Sequence, residues 1–556
     1  MRVIKQISSL EKIRIGDKLN MPELTNTKVL KGERYSYQIA IVSDVSLVGK
    51  FEIESPLLPY IRTYAVNQSV MDNPTTIAVR EIDLITDEPG LMPDLLTPLS
   101  EQNNIIQARS YYGKVASNPQ TVWIEVNIPR DMKTGEYPIT SRLIQEDGTV
   151  LFTKVMTVGV LNETVEEQTL LYTRWFYADC IANYHGVEIY SDEHFALIEA
   201  YLREAVDVGI NMILVPIHTP PLDTAVGTTR PCVQLVDIKK EGDTYTFGFE
   251  KLRRFVEICK RAGIKYYEMA HMFSQWGAKF AANILVEENG VKSYLFGWHV
   301  SATDPRYQDF LAKYVAAVYG EMKALGVADH TYFHISDEPN IKNIEAYKAA
   351  ADIIKPLIGE SKTFDALSKY EFYEKGLVAC PVTCISHIDE FLQHDIPNQW
   401  AYYCCDPQSV YTNSFMAMTS HRTRILGVLL YKFNIKGFLH WGLNFYNSAL
   451  SLSEINPYVT SSAGGSYPSG DAFILYPART GAYPSIRGKI TYEAIGDLNL
   501  CRTLEKHIGR EAVVALIDST AGGDVRFDDY PRDASYLPTL RDALLSRLEA
   551  ALAKAD

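Results

Sequence analysis

Two carboxylates stand side by side where a predicted buried strand ends. The stretch HTYFHISDEPN, residues 330–340, runs from apolar and aromatic residues into Asp337, Glu338 and Pro339. Neighbouring side chains of a regular strand point to opposite faces, so both acids can reach one pocket only where the chain turns. Pro339 disfavours helical dihedrals at Glu338. Because close carboxylates push their pKa values apart, the pair suits a general acid beside a fixed negative charge.

A structural role would explain the same dipeptide. Asp337 or Glu338 could accept hydrogen bonds from the first amides of a helix that is predicted to start near Asn340. The dipeptide alone does not distinguish the two roles. Its position at a strand end favours the catalytic one.

The composition limits the class of protein. The chain has 556 residues, 47% of them hydrophobic, and a formal net charge of −14 at pH 7. A chain of this length is expected to form two or three domains. The acidic balance argues against nucleic acid and against an anionic membrane surface as partners.

No segment of the sequence has the length and apolarity of a membrane span, and the first residues lack an apolar core of signal-peptide length. We therefore expect a cytoplasmic protein, or an exported one if the chain has lost an N-terminal segment. The eight cysteines show no zinc-ribbon spacing, and we expect reduced thiols.

The pattern of predicted elements changes near residue 165. Residues 1–165 hold short strands separated by turns, which predicts a β-sandwich accessory domain. Residues 166–484 alternate eight strand candidates with helical segments, which predicts an α/β fold with a (β/α)8 TIM-like catalytic barrel. A doubly wound open sheet is the alternative, but no Gly-rich phosphate loop follows the first strand. Residues 485–556 predict a C-terminal helical segment that packs on the barrel.

Polar and aromatic residues follow the predicted barrel strands, where the active site of such a barrel lies. Flat aromatic faces beside hydrogen-bonding groups suit the apolar face and the hydroxyl rim of a sugar ring. The candidate substrate-binding residues are Trp175, His271, Gln275, Trp276, Asp365, His387, Tyr403, Trp441 and Asn444. The aromatic residues could instead plug the barrel rim, and Asp365 could cap a helix or turn. Asp471, in the long loop after the eighth strand, could close over the sugar or serve in a simple turn.

Several histidines also lie near predicted strand ends, namely His218, His271, His334, His387 and His440. A metal-dependent hydrolase would use such a set. Those sites usually begin with an HxH motif on the first strand, and the segment WFYADC has none. We therefore expect no metal and no cofactor, and we assign the histidines to hydrogen bonding or packing.

Six segments of the chain resemble glycoside hydrolase family 123, the β-N-acetylgalactosaminidases and their bacterial relatives. They are LYTRWFYADCIANYHG, PIHTPPLDTAVG, MAHMFSQWGAKFA, YFHISDEPN, GFLHWGLNFYNS and SGDAFILYP. The preceding sandwich is similar to the N-terminal domain of that family. The family's catalytic Asp–Glu pair at a strand end matches Asp337 and Glu338.

The resemblance implies a retaining, substrate-assisted reaction on a terminal β-linked 2-acetamido sugar of an oligosaccharide or glycoconjugate, with N-acetylgalactosamine as the first choice. The 2-acetamido oxygen would attack the anomeric carbon. Glu338 would protonate the leaving oxygen and then deprotonate water, while Asp337 would orient the acetamido group and stabilise the developing charge. Substrate-assisted glycosidases are exceptions to the usual two-carboxylate scheme.

Two alternatives stay open at this point. One is a barrel glycosidase whose sugar lacks the acetamido group, so that Asp337 would have another role. The other is a catalytically silent carbohydrate-binding protein, which would have no need to keep both acids. A homodimer formed through the sandwich or the C-terminal helices is also compatible with the sequence.

Overall fold

The structure is a computed structural model that describes residues 2–75, 81–111, 115–359 and 362–555. The predicted sandwich is therefore described without residues 1, 76–80 and 112–114. Internal contacts divide the chain into two units. The first consists of Met1–Gln168, Thr412–Lys432 and Tyr483–Asp556, and the second of Thr169–Tyr411 and Phe433–Ala482.

Two β-sheets make up most of the first unit. Their strands are β1 (Arg2–Ser8), β2 (Asn26–Lys31), β3 (Arg34–Ser43), β4 (Leu47–Glu54), β5 (Ile61–Met71), β6 (Gly90–Pro98), β7 (Ile105–Tyr111), β8 (Val115–Asn118), β9 (Gln120–Asn127), β10 (Gly135–Ile144) and β11 (Val150–Thr164). One sheet has the order β1-β3-β9-β5-β6 and the other β2-β11-β10-β4-β7-β8. Buried residues of both sheets, such as Ile39, Val122, Leu143 and Val158, form one hydrophobic cluster. The sheets therefore pack face to face, as a sandwich requires.

Eight parallel strands close into a barrel in the second unit. They are β12 (Leu171–Arg174), β13 (Met212–Val215), β16 (Tyr266–Met269), β19 (Thr331–Phe333), β20 (Lys362–Leu367), β21 (Cys380–Cys384), β22 (Trp400–Tyr402) and β23 (Gly437–His440). The sequence predicted all eight strands and the (β/α)8 class. The barrel closes because β23 pairs with β12, with Leu171 opposite Gly437 and Arg174 opposite His440. This closure excludes the open-sheet alternative.

The second unit also contains a four-stranded sheet that the sequence did not predict. Its strands are β14 (Asp237–Glu241), β15 (Thr244–Gly248), β17 (Ile284–Glu288) and β18 (Val291–Phe296), in the order β15-β14-β17-β18. They lie in the segments that follow the second and third barrel strands. The helices of this unit are α1 (Ala178–His185), α2 (Asp192–Asp207), α3 (Glu250–Ala262), α4 (Pro305–Ala324), α5 (Ile344–Ile354), α6 (Glu371–Glu374) and α7 (Ile388–Leu392).

Local sequence signals set the helix boundaries. The Ser191 side chain accepts a hydrogen bond from a backbone amide at the start of α2, and Asp304 with Pro305 starts α4. Helix α3 ends at Gly263, whose φ of 101° suits glycine best. Within the part of the chain that the structure describes, no helix combines the length and the apolarity needed to cross a membrane.

The remaining helices belong to the first unit by their contacts. They are α8 (Ser420–Arg424), α9 (Leu426–Lys432), α10 (Ile486–Ile508), α11 (Arg510–Ala521) and α12 (Tyr536–Ala555), and the short strands β24 (Leu475–Ala478) and β25 (Gly481–Pro484) precede α10. Helix α10 packs Ile486 and Ile490 against Tyr64, Leu96 and Trp123 of the five-stranded sheet. The packing of this C-terminal segment on the barrel stays a prediction. The predicted domain boundaries at 165 and 484 stay predictions.

A buried ion pair joins α10 to the sheet. Arg487 donates through Nε and Nη2 to the two carboxylate oxygens of Asp94, at 3.0 and 2.9 Å, and both side chains are buried. Bidentate pairing of this kind is the strong form of the charge-assisted hydrogen bond. Near it, Lys489 lies 3.0 Å from the buried carboxylate of Glu125. The helix therefore contacts the sheet through matched charges as well as apolar side chains.

Arg487→Ala should lower the free energy of unfolding by about 3–5 kcal/mol, because it takes both charge-assisted hydrogen bonds from a buried carboxylate. Urea denaturation followed by circular dichroism would measure the change. The control is Arg142→Ala, which breaks an exposed ion pair with Glu54 and should cost less than about 1 kcal/mol. Equal effects of the two variants would contradict a stabilising role for the buried pair.

Candidate active site

A pocket of about 190 Å³ lies at the carboxyl ends of the barrel strands. It is lined by Trp175, Asp223, Trp276, Asp337, Glu338, Ala366, Tyr402, Cys404, Cys405, Leu439, Trp441 and Tyr467. The sequence predicted five of these as site residues, namely Trp175, Trp276, Asp337, Glu338 and Trp441. The barrel thus brings together both predicted acids and all three predicted tryptophans.

The two acids stand on a turn beyond strand β19. The strand ends at Phe333, and Glu338 has a φ of 39°, a left-handed conformation that is uncommon for a residue with a side chain. The carbonyl of Asp337 accepts a hydrogen bond of 2.8 Å from the amide of Trp276, whose own φ is 60°. Unusual dihedrals of this kind cluster at functional sites, where the surroundings hold them in place.

The helix-cap explanation of the two acids does not match the structure. The side chain of Asn340 accepts the amide hydrogen bond of Lys342, at 3.0 Å, where the short 3-10 helix Ile341–Asn343 begins. The cap is therefore Asn340, and the carboxylates of Asp337 and Glu338 line the pocket.

The environment raises the pKa of both acids. Burial raises the pKa of Glu338, although the hydroxyl of Tyr402 donates a hydrogen bond of 2.6 Å to it and acts in the opposite direction. Glu338 is an exposed residue that lines the pocket, and the protein atoms packed around its carboxyl are the burial that acts on its pKa. Burial, followed by the negative charge of Glu338, raises the pKa of Asp337 well above its ordinary value. The pair therefore holds a proton at a pH at which an isolated carboxyl has lost it.

Asp223 is a third carboxylate in the pocket, and the sequence analysis did not single it out. Tyr177 donates its hydroxyl to Asp223 Oδ2 at 2.6 Å. Burial is the main cause that raises the pKa of Asp223. Gln275, predicted to bind substrate, accepts from the Asp223 amide at 2.8 Å and donates to the Thr224 carbonyl at 2.7 Å. Gln275 therefore holds the loop that carries Asp223 and does not line the pocket.

Asp365, another predicted binding residue, is fully buried and does not line the pocket. Its carboxylate accepts from His334 Nδ1 at 2.9 Å and from the amides of Ile335 and Ser336 at 3.1 and 3.4 Å. It also accepts the hydroxyl hydrogen bond of Tyr347. Three of these donors belong to residues 334–336, which immediately precede Asp337. Asp365 therefore fixes the turn that carries the two acids.

His334 lies between two buried carboxylates. Its Nδ1 faces Asp365, and its Nε2 lies 3.2 Å from Glu268 Oε2. Burial opposes protonation, but the hydrogen bonds to Asp365 and Glu268 outweigh it and raise the pKa of His334. In the protonated form both nitrogens donate, one to each carboxylate.

The predicted residue His271 stacks on His334, with ring centroids 3.8 Å apart and an angle of 11° between the rings. Burial, and then the charge of His334, lowers the pKa of His271 well below its ordinary value, so its ring is neutral. The indole of Trp175 meets both imidazoles edge-on. Trp175 lines the pocket, so the two histidines support the part of the pocket wall that this indole forms.

His271, His334 and Asp365 place ligand-type atoms within 4.8 Å of one another, which is a spacing that a metal ion would accept. Both nitrogens of His334 are committed to carboxylates. A metal would have to displace these hydrogen bonds, so among the described residues this cluster fits an ion-pair network better than a metal site. The expectation that the enzyme needs no metal stays a prediction.

Three further predicted residues lie outside the pocket lining. Asn444 accepts from the amide of Tyr177 and donates to its carbonyl, both at 3.0 Å, which fixes that backbone. Tyr403 is buried and packs its ring on Phe438. His387 is in hydrogen-bond contact with the neighbouring hydroxyl of Ser386.

The loop after the eighth strand contributes to the pocket. Asp471 is buried and accepts from the indole of Trp441 at 2.8 Å, so it positions that ring and is not a simple turn residue. A side chain at Gly442 would come within 2.5 Å of the Asp471 carbonyl, which requires glycine at this close approach. The same loop supplies Tyr467 to the lining.

The lining residues Tyr402, Cys404, Cys405, Tyr467 and Asp223 are not among those predicted from the sequence. Tyr403 was the predicted residue, whereas the structure places Tyr402 in the pocket. Successive side chains near a strand end point to opposite sides, so an error of one residue selects the buried tyrosine. Asp223 lies inside the segment PIHTPPLDTAVG, and that segment was the available signal for it.

The barrel, the pocket and its acids agree with a comparison to known families. A model described as "Glycoside hydrolase 123, catalytic domain" matches residues 175–504, which is more than half of the chain. The chain therefore belongs to glycoside hydrolase family 123, and it is a glycosidase by family.

One solved structure of the same family shows the same fold over the whole chain. A family 123 glycoside hydrolase from Clostridium perfringens, described in connection with glycolipid glycan hydrolysis, has a TM-score of 0.72 and 14% sequence identity, and the match covers 100% of this chain and 99% of that chain. An endo-β-1,4-mannanase from Thermotoga petrophila has a TM-score of 0.35 and 14% identity, with 60% of this chain and 77% of that chain covered. No curated protein matches the chain.

Asp337→Asn should stabilise the protein at neutral pH. A raised carboxyl pKa means that the folded protein binds more protons than the unfolded chain between the ordinary pKa and the raised one, so its stability falls as the pH rises through that window. Asparagine removes this penalty. We expect a gain in the free energy of unfolding at pH 8 that vanishes near pH 4, measured by urea denaturation. The exposed control Asp352→Asn should give no comparable gain, and a loss of stability in Asp337→Asn would contradict the prediction.

Asp365→Ala should destabilise the fold by about 3–5 kcal/mol, because it removes one of the two carboxylate partners of the buried His334 and the acceptor of two backbone amides. Thermal and urea unfolding would measure this. Hydrogen exchange should show faster exchange at Ile335 and Ser336. The control Asp309→Ala breaks an exposed pair with Lys313, and it should change neither readout. Unchanged exchange at both amides would show that Asp365 does not hold the turn.

Proposed function

We propose that this glycosidase removes terminal β-linked 2-acetamido sugars, with N-acetylgalactosamine as the preferred sugar, by a retaining, substrate-assisted mechanism. The observation that carries the proposal is the adjacency of Asp337 and Glu338 in the lining of one small pocket. Pockets for drug-sized ligands measure about 300–1,000 Å³, so about 190 Å³ suits a single terminal sugar.

The two acids take different roles in this mechanism. Glu338 is open to the pocket and receives a hydrogen bond from Tyr402, so it can reach the leaving oxygen, protonate it, and later take a proton from water. Asp337 stands one residue before it and orients the 2-acetamido group, whose oxygen attacks the anomeric carbon. The acetamide nitrogen becomes positively charged in the cyclic intermediate, and the carboxylate of Asp337 stabilises that charge.

The aromatic wall supports a sugar ligand. Trp175, Trp276, Trp441, Tyr402 and Tyr467 surround the acids. Their faces can pack on the apolar face of a sugar ring, while the tyrosine hydroxyls and indole N–H groups can hydrogen-bond its rim. Trp276 is 44% exposed and suits contact with the aglycone, the group from which the sugar is released. An oligosaccharide or glycoconjugate is therefore the proposed substrate, in line with the glycolipid glycans named for the Clostridium relative.

Asp223 favours a second candidate function. In ordinary retaining glycosidases a carboxylate nucleophile and an acid face the sugar from two sides. Asp223 comes from a different strand end than Glu338 and lines the same pocket. If Asp223 were the nucleophile, the substrate would need no acetamido group, and a plain β-glycoside would be cleaved.

A series of p-nitrophenyl β-N-acylgalactosaminides separates the two mechanisms. With N-acetyl, N-fluoroacetyl and N-trifluoroacetyl substrates, kcat/KM should fall steadily, because fluorine withdraws electrons from the attacking acyl oxygen. The rate depends on this oxygen because the substrate supplies its own nucleophile. Equal rates across the series, or cleavage of the plain β-galactoside alone, would contradict substrate assistance. The corresponding glucosaminide, run in parallel, tests the preferred epimer.

Matched variants assign the residues in the same assay. Glu338→Gln and Asp337→Asn should each lower kcat/KM on the N-acetyl substrate by about 10²–10⁴-fold, the usual contribution of a general acid or a charge-stabilising group. Asp223→Asn should lower it less than either. The reverse order would identify Asp223 as the nucleophile, while inactivity of the wild type with retained sugar binding would indicate a silent binding protein. Loss of activity on addition of a chelator would indicate the metal-dependent alternative.

A further inference from the structure

Two adjacent thiols form part of the pocket wall. Cys404 and Cys405 both line the pocket, both are partly exposed, and neither forms a disulfide. Their sulfur atoms lie 4.0 Å apart. Neither thiol has a role in the mechanism proposed above.

The backbone holds this pair in place on both sides. The amide of Cys404 donates to the carbonyl of Asp406 at 2.9 Å, and the side-chain amide of Gln408 donates to the carbonyl of Cys405, also at 2.9 Å. Tyr402, two residues earlier in the chain, donates its hydroxyl to Glu338. The thiols therefore stand beside the proposed general acid on a fixed segment.

Adjacent cysteines are poorly suited to a direct disulfide. Their Cα atoms are about 3.8 Å apart across a trans peptide, whereas disulfides usually join Cα atoms about 4.4–6.8 Å apart. A single thiophilic atom that bonds both sulfurs can span the gap without moving the backbone. We propose that Cys404 and Cys405 form a dithiol site for a monosubstituted trivalent arsenical, and that the bound arsenical blocks the pocket.

The reaction balances without an oxidant. An aryl arsenoxide accepts the two thiol protons on its oxygen and releases it as water, while two As–S bonds replace the As–O bonds. Arsenic stays trivalent. The hydrogen bond with Cys405, then burial and nearby acids, raise the pKa of the Cys404 thiol well above its ordinary value. A thiol with a raised pKa reacts slowly with alkylating agents and peroxides, which favours the chelate over reactions at one sulfur.

The other cysteines provide internal controls. Cys180, Cys259, Cys380, Cys384 and Cys501 are buried, and Cys232 is partly exposed. Because Cys232 does not line the pocket, Cys232→Ser is the matched control for the two pocket thiols.

Phenylarsine oxide added to the full chain tests the site by intact mass, a readout that does not depend on glycosidase activity. We expect one adduct per chain that survives an excess of monothiol and is removed by 2,3-dimercaptopropanol. Cys404→Ser and Cys405→Ser should each weaken binding by about 10²-fold or more, because a two-point attachment gains about 10²–10⁴-fold over a single one. Cys232→Ser should bind as the wild type does. An adduct that persists in both pocket variants, or no adduct on the wild type, would overturn the proposal.

A second measurement needs no variant. Pretreatment of the wild type with phenylarsine oxide should protect Cys404 and Cys405, but not Cys232, from alkylation by iodoacetamide that is continued until all three thiols of the untreated protein are labelled, as read by peptide mass mapping. Equal labelling with and without pretreatment would contradict the site.

The blocking effect rests on the proposed function, and hydrolysis of the N-acetyl substrate should disappear in proportion to the adduct. A full adduct with undiminished hydrolysis would overturn the blocking. If the untreated protein hydrolyses nothing but forms the adduct, the proposed function fails while the dithiol site stands.

Discussion

The carboxylate of Asp365 is the contact on which the geometry of the site depends. It accepts hydrogen bonds from His334, from the amides of Ile335 and Ser336, and from Tyr347. These amides belong to the residues just before Asp337 and have left the strand ladder, so they need another acceptor. A single buried carboxylate meets that need. It also lets the chain continue into the left-handed conformation of Glu338 and present two consecutive acids to one pocket.

This support has an electrostatic consequence. Glu268, His334 and Asp365 form a buried row in which one imidazole lies between two carboxyl groups. The negative charge of Asp365 is among the causes that raise the pKa of Asp337, after burial and the charges of Glu338 and Asp223. Groups that hold the turn therefore also favour a proton on the acid pair. The raised pKa lowers the folding stability as the pH rises, whereas the retained proton is useful for general acid catalysis. Such a compromise between stability and activity is common at active sites.

The sequence predicted the barrel because its signals are local. Each of the eight strands is a short apolar run, and a helical segment separates most of them from the next strand. Parallel strands need such crossover segments, so this alternation along the chain indicates a parallel sheet. The position of Asp337 and Glu338 after the fourth of these strands was enough to find the acids. Asp365 was found by the same rule, but the sequence left its role open between sugar binding and capping, because only tertiary pairing with His334 shows that it faces the strand-end amides. Tyr403 was chosen over Tyr402 because the sequence does not reveal where the strand's alternation stops.

The remaining differences between the predicted and the observed structure lie in loops. Asp223 and Tyr467 lie in long connections whose course no periodicity predicts. Their places are fixed by contacts between distant segments: the hydroxyl of Ser451 donates to the carbonyl of Asp223, and the side chain of Gln275 holds the Asp223 amide. The four-stranded sheet was missed for a similar reason, because strands inserted into barrel loops break the repeat on which the prediction relied.

The contacts of the three pocket carboxylates bear on which of them can act as a nucleophile. Tyr177 donates to Asp223 Oδ2 at 2.6 Å, and burial raises the pKa of Asp223. The hydrogen bond from Tyr177 engages one lone pair of the Asp223 carboxyl, which weakens it as a nucleophile. Asp337 and Glu338 are one residue apart, so their carboxylates cannot flank a sugar ring from opposite faces. A substrate that brings its own acyl oxygen removes the need for such a carboxylate, and the arrangement of all three acids therefore favours substrate assistance.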